Sequence, residues 1–104
     1  MSVIISDSNF EDLVLKSELP VMLDVYTEWC GPCRAIAPYI EQMAIEYEGR
    51  AFIFKVDAEK CPEVAEKYAI TTVPTFLFIK GGELVDRQAG AVKAALTQKL
   101  NALL

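Results

Sequence analysis

The sequence predicts an α/β fold: a central mixed β-sheet of about five strands flanked by about four helices, in the order β-α-β-α-β-α-β-β-α. Three observations predict it. Short apolar runs alternate with stretches whose apolar residues recur at helical spacing. One of those runs is hydrophobic on both alternating faces, as a central strand covered on both sides must be. Two late runs are joined through Gly81-Gly82, a pair suited to a tight antiparallel turn. The 104 residues, 53% of them hydrophobic, suit one domain over 1–104 with enough apolar surface for a core.

Along the chain, residues 3–5 read as a short first strand. Ser8-Asn9-Phe10-Glu11 has the spacing of a capping box, and Phe10, Leu13 and Val14 mark the face of the helix that follows. Val21-Met22-Leu23-Asp24-Val25-Tyr26 is the doubly covered strand, interrupted by Asp24. Ile36, Ile40, Met43 and Tyr47 define the second helix, which Pro38 is expected to kink and Gly49 to stop. Residues 51–56 form another buried strand. Pro62 suits the first turn of a short helix carrying Val64, Ala65 and Tyr68. Residues 75–79 and 84–88 are strands joined through Lys80-Gly81-Gly82-Glu83, and Val92, Leu96, Leu100 and Leu103 mark a closing helix. Right-handed crossovers then make the first three strands parallel, with helices on both faces. The end of the 21–26 strand falls at the carboxyl edge of the sheet, where open α/β sheets place their sites.

Composition narrows the function. A formal charge of −5 would repel a phosphate backbone, so nucleic acid is excluded as a partner. No apolar run approaches the roughly 18 residues of a membrane span. The first residues lack the basic and apolar regions of a signal peptide. Three cysteines do not make an even staple framework, which favours a reducing, cytoplasmic setting.

Trp29-Cys30-Gly31-Pro32-Cys33 carries the chemistry. If a helix starts here, Cys30 and Cys33 occupy its first turn at i and i+3, with Cβ atoms roughly 5–6 Å apart. A disulfide can then open and close without moving the fold. As a staple, so short a loop would gain little. A thiolate is the attacking species, and a free thiol is only about 3% ionised at pH 7. Each unit by which its pKa falls needs about 1.4 kcal/mol of differential stabilisation. A helix terminus supplies about 0.3–1 kcal/mol. Hydrogen bonds to the charged sulfur, worth roughly 1.5–3 kcal/mol, close the gap. Cys30, nearer the terminus, is the better attacker; Cys33, further in and expected to be more buried, suits the resolving thiol. Pro32 starts a helix without losing a needed N–H, and Gly31 leaves room for a partner's backbone. Trp29 offers an apolar contact and a shield for one side. The competing reading is half a zinc site. With no His and one other Cys, such a site would need a carboxylate as its last ligand, and no metal is expected.

Asp24 stands in an apolar strand six positions before Cys30, where burial should raise its pKa. It is placed to take the proton from Cys33, through a water; the alternative is an Asp that caps a turn. Lys55, in the run Phe52-Ile53-Phe54-Lys55-Val56, either pairs with Asp24 or extends to solvent from an exposed face. Val73-Pro74 opens the fourth strand, a position that tolerates proline, and pattern alone favours a trans bond there. Cys61, between Lys60 and Pro62 near a helix start, is either a moderately activated thiol or a bystander, the second being favoured. Gly90-Ala91 is either a turn before the last helix or the floor of a binding groove.

With these residues in hand, the chain resembles the thioredoxin family over essentially its whole length. Trp29-Cys30-Gly31-Pro32-Cys33 is the motif of its reductase branch. Asp24 and Lys55 match the family's buried aspartate and its lysine partner, and Pro38 matches the proline that bends the second helix. Val73-Pro74-Thr75 matches its cis-proline loop, so a cis bond is expected. Lys80-Gly81-Gly82-Glu83 and Gly90-Ala91 match its hairpin and groove glycine. Tyr26-Thr27 and Thr71-Thr72 depart from the common pattern, which bears on partner preference. The resemblance implies a monomeric protein-disulfide reductase with a reversible Cys30–Cys33 disulfide and no bound cofactor, acting on disulfide-containing proteins and restored by a thioredoxin reductase. It implies a client groove of Trp29, Gly31, Pro32, Val73, Pro74, Gly90 and Ala91. The rivals are a disulfide oxidase or isomerase on the same fold, and a non-catalytic module of a larger complex.

Overall fold

The computed structural model describes residues 3–104. Its five strands are β1 (Val3–Ile5), β2 (Val21–Tyr26), β3 (Phe52–Asp57), β4 (Thr75–Lys80) and β5 (Glu83–Ala89). They form one sheet in the order β1-β3-β2-β4-β5. As expected, β1, β3 and β2 run parallel, while β4 and β5 are antiparallel neighbours. Helices α1 (Gly31–Glu46), α2 (Pro62–Lys67) and α3 (Lys93–Asn101), with a π-type helical segment at Glu11–Leu15, complete the order. The strand edges shift by about a residue from the sequence expectation at β3, β4 and β5, because pairing with a neighbour, and not the apolar pattern, sets where a strand ends.

Period-two alternation divides the sheet's side chains between two cores. Val21, Leu23 and Val25 join Ile5, Val14, Val56, Val64, Leu77 and Ile79 on one face. Met22 joins Ile36, Ile40, Met43, Phe76, Phe78, Leu96 and Leu100 on the face covered by α1 and α3. Burying a side chain such as Phe76 or Phe78 fully contributes roughly 1.5–3 kcal/mol. The same alternation sends Asp24 to the α1 face, two residues beyond Met22. It also sends Lys55 there, two residues beyond Ile53. Pro38 lies inside α1 and Gly49 two residues past its C-cap Tyr47.

Two local expectations fail. Ser8 and Glu11 do not close a capping box, because helical backbone already holds Phe10 and no side chain caps the segment. Local polar groups bind one another instead: the Ser6 backbone N–H donates to Asn9 Oδ1 at 2.9 Å, and the Ser6 and Ser8 hydroxyls meet at 2.9 Å. The segment then widens to π-type bonding, with Lys16 N–H donating to Glu11 C=O at 3.0 Å. Phe10 and Val14 are buried while Leu13 turns to solvent. The edge strand β5 is largely exposed and carries Glu83, Asp86 and Arg87, charges that discourage edge-to-edge pairing.

Candidate active site

β2 delivers the chain to the carboxyl end of the sheet, and α1 begins five residues later with Cys30 at its N-cap. Cys30 keeps extended backbone, φ −84° and ψ 111°, and its sulfur accepts the Cys33 N–H at 3.1 Å. Pro32 occupies the first turn, where its missing N–H leaves no bond unmade. The Cα atoms of Cys30 and Cys33 stand 5.2 Å apart and the sulfurs are joined as a disulfide. Burial differs little between them, at 9% and 6% exposure. What separates the two sulfurs is their surroundings.

Cys33 opens onto a cavity of about 220 Å³ lined by Asp24, Tyr26, Thr27, Glu28, Arg34, Ala37 and Lys55; Cys30 does not line it. Asp24 is 2% exposed, and its Oδ1 has no hydrogen-bond partner among the described residues. Burial pushes its pKa up to about 6, against the pull of the Lys55 ammonium. Asp24 pairs in register with Lys55 across β2 and β3, and Lys55 Nζ lies 4.8 Å from the centre of the Tyr26 ring. Of the two readings of Lys55, the one that places it beside Asp24 therefore holds. A cavity of this size, with the Asp24 carboxyl and Lys55 among its lining groups, has room for water beside Cys33.

The other candidate residues gather at the same end of the sheet. β4 runs antiparallel to β2, so Thr75 pairs with Val25 and Pro74 lies beside the strand that leads to the motif. The Val73–Pro74 bond is cis and Pro74 is buried. Gly90, past the end of β5, donates its N–H to the Pro74 carbonyl at 2.9 Å; its φ of +90° favours glycine. Ala91 shares an open hollow of about 320 Å³ with Pro32, Ala35, Ile36 and Lys93. Gly31 has open space where a side chain would stand. Trp29 is 81% exposed, so it offers apolar surface beside the disulfide and gives little cover.

Cys61 is free and 4% exposed, with its thiol donating to the Ile5 carbonyl at 3.5 Å. Burial, reinforced by the Asp7 carboxylate, raises its pKa, which agrees with the favoured reading of Cys61 as a bystander and not with an activated thiol. The start of α2 beside Cys61 is capped by Asp7, whose carboxylate accepts the N–H groups of Glu63 and Val64. No His/Cys/Asp/Glu group suited to a metal occurs among the described residues.

Sequence reasoning missed Tyr26, Arg34 and Ala37 as neighbours of the dithiol. Spacing could have found two of them. Tyr26 is two residues from Asp24 on one strand face, and Ala37 is four from Cys33 on one helix face.

Two sulfurs that one rigid turn holds at bonding distance, with a buried carboxylate behind one of them, are equipped for exchange with other disulfides. The class so defined is the thiol–disulfide oxidoreductases. A profile of the thioredoxin family matches residues 1–102, and the chain belongs to that family. It is 45% identical over 98 residues to the chloroplastic M-type thioredoxin of Pisum sativum, an alignment covering 93% of this chain and 57% of the plant protein. It is 43% identical over 97 residues to thioredoxin 1 of Nostoc sp., covering 92% and 91% of the two chains. The thioredoxin of Synechocystis sp. is 42% identical over 88 residues, covering 85% and 82%. The chain thus spans little more than half the plant relative and most of the two bacterial ones. Its redox group is the Cys30–Cys33 disulfide. Among the described residues, no helix is long and apolar enough to cross a membrane.

Proposed function

We propose that this protein reduces disulfides in client proteins, with Cys30 as the attacking sulfur and Cys33 as the resolving one. In the reduced form, the Cys30 thiolate attacks one sulfur of the client disulfide. The client S–S bond breaks, its other sulfur leaves as a thiolate, and a mixed disulfide joins Cys30 to the client. Asp24 takes the Cys33 proton through cavity water. The Cys33 thiolate then attacks Cys30, releases the client's second sulfur and closes the Cys30–Cys33 bond. Two electrons have passed to the client.

The observation that carries this division of labour is that Cys33, and not Cys30, opens onto the Asp24 cavity. A base beside one sulfur has a use when that sulfur must lose a proton late in the cycle. The Cys33 N–H aimed at the Cys30 sulfur supports the other half, because the same donor would stabilise a Cys30 thiolate. Trp29, Gly31, Pro32, Val73, Pro74, Gly90 and Ala91 form the client surface in this reading. Gly31 and Pro32 also tune the thiols. The protein acts as a single-domain monomer in a reducing compartment such as the cytoplasm, and a thioredoxin reductase regenerates it.

The test is a trapping experiment with an insulin-type protein disulfide. Cys33→Ser should accumulate a mixed disulfide through Cys30, and Cys30→Ser should neither turn over nor accumulate one. Accumulation through Cys33 in the Cys30→Ser protein would reverse the assignment.

A further inference from the structure

The hollow beside the disulfide carries a charge that the reaction itself does not use. Its floor is Ile36, 3% exposed, and its walls are Pro32 and Ala35 of α1 and Ala91 and Lys93 at the start of α3. Pro32 stands between the two cysteines, so the hollow borders the exchange site. Lys93 is exposed, yet its ammonium is positioned: Nζ lies 5.2 Å from the centre of the Tyr39 ring. That ring is itself fixed by a 2.5 Å hydrogen bond between Tyr39 Oη and Thr97 Oγ1. Among the described residues Lys93 has no ion-pair partner, whereas Lys60, on the loop after β3, is paired with Glu28 at 3.2 Å. Arg50 and Lys67 also lie over tyrosine rings, Tyr47 and Tyr68, but of the three cations only Lys93 lines the hollow that Pro32 shares, in a chain whose formal charge is −5.

We propose that this hollow selects clients whose chain, beside the reacting cysteine, places an apolar side chain over Ile36 and a carboxylate against Lys93. The inference rests on the disulfide-reductase reading and names its preferred substrate class. Apolar walls take the side chain as it leaves water. The cation, held beside them by Tyr39, supplies the complementary charge at the rim. A rim pair mainly raises encounter rate and discrimination between clients, and salt screens it. Exposed pairs are individually weak, so the expected preference is about 3- to 10-fold between clients of opposite charge.

The test uses the full chain and synthetic peptides closed by one disulfide, in which Leu and a variable residue X flank one cysteine at successive positions. X is Glu, Gln or Lys. Each kcat/KM is divided by the rate at which dithiothreitol reduces the same peptide, which removes differences in intrinsic reactivity. At low salt the ratio of Glu to Lys peptides should be about 3- to 10-fold at one or two positions and fall toward one in high salt. Lys93→Glu should invert the preference and Lys93→Met should abolish it. Lys67→Met, an equal change in net charge on α2, should leave the ratio as it was. Equal normalised rates for all peptides with the unaltered chain would overturn the proposal, as would a preference that survives Lys93→Met or is lost equally in Lys67→Met. Failure to reduce even the Gln peptide would instead remove the reductase reading beneath it.

Discussion

Asp24 is the residue on which the resolving step turns. A carboxyl with pKa about 6 is mostly ionised at neutral pH, yet it still takes up a proton readily, which suits a base that must recover in every cycle. Replacing it by Asn keeps the shape and removes the proton acceptor. Resolution of the mixed disulfide should slow on the order of 10²-fold near pH 7, the usual scale for losing a positioned base. The first attack by Cys30 should stay largely intact. Acid-quenched time courses that separate the mixed disulfide from product would read both steps, and unchanged resolution would end the proton-transfer role. In the parent protein the resolving rate should fall as pH drops through about 6, an inflection that the Asn variant lacks. Cys61 is the contrasting residue: burial and Asp7 keep its thiol protonated. Cys61→Ser should therefore retain disulfide reduction, and the parent thiol should react slowly with an alkylating reagent while the fold is intact. Rapid alkylation of Cys61 in the native protein would contradict its assignment as a bystander.

Elements bring these residues together through register and turn geometry, and the hairpin between β4 and β5 shows how tightly. Gly81 and Gly82 both have positive φ, +61° and +80°. A Cβ on Gly81 would meet open space, while one on Gly82 would lie 2.8 Å from the Leu15 carbonyl oxygen. Gly81→Ala should then cost about 1–2 kcal/mol for the left-handed backbone alone. Gly82→Ala should cost more, by up to a further 1–3 kcal/mol, because a backbone atom must move. Denaturant midpoints for the two variants would compare them directly, and equal losses would mean that Leu15 yields freely. The strands were legible because alternation is a local property: Val21, Leu23 and Val25 against Met22 and Asp24 define the two faces of β2 by spacing alone. The motif's place followed from β2 in the same way. The Ser8–Glu11 start was not legible, because Asn9 and Ser6 offer a rival set of local hydrogen bonds that spacing cannot rank. Asp7 as the cap of α2 was equally hidden, since its partners lie over fifty residues away. Lys93 and Ile36 come to share a hollow only when α1 and α3 are laid on the same sheet face.

At the scale of the whole molecule, the sheet separates two cores, and the one beneath α1 lies on the face that also buries the Asp24 carboxyl, which stability must reflect. The Asp24 pKa is about 6 in the fold against an ordinary 3.8. Its ionised form is therefore disfavoured in the native state by about 3 kcal/mol, on the order of two pKa units at about 1.4 kcal/mol each. Below pH about 4 the group is protonated whether the chain is folded or not, and the penalty is absent. Between pH about 4 and 6 the unfolded chain releases this proton first, the native state holds more protons, and stability falls as pH rises. Above pH about 6 the penalty is complete. Asp86 works in the opposite sense, since the Arg87 N–H and Lys99 hold its pKa down, so the parent's own curve mixes the two groups. Comparison with Asp24→Asn removes that mixture, because both proteins keep Asp86. The stability of the Asn variant minus that of the oxidised parent should rise by about 2–3 kcal/mol from pH 4 to pH 7 and then level off. Denaturant unfolding at a series of pH values measures it. Curves that stay parallel across that range would mean that Asp24 ionises in the fold as it does in water, and its place as the proton acceptor for Cys33 would lose its physical basis.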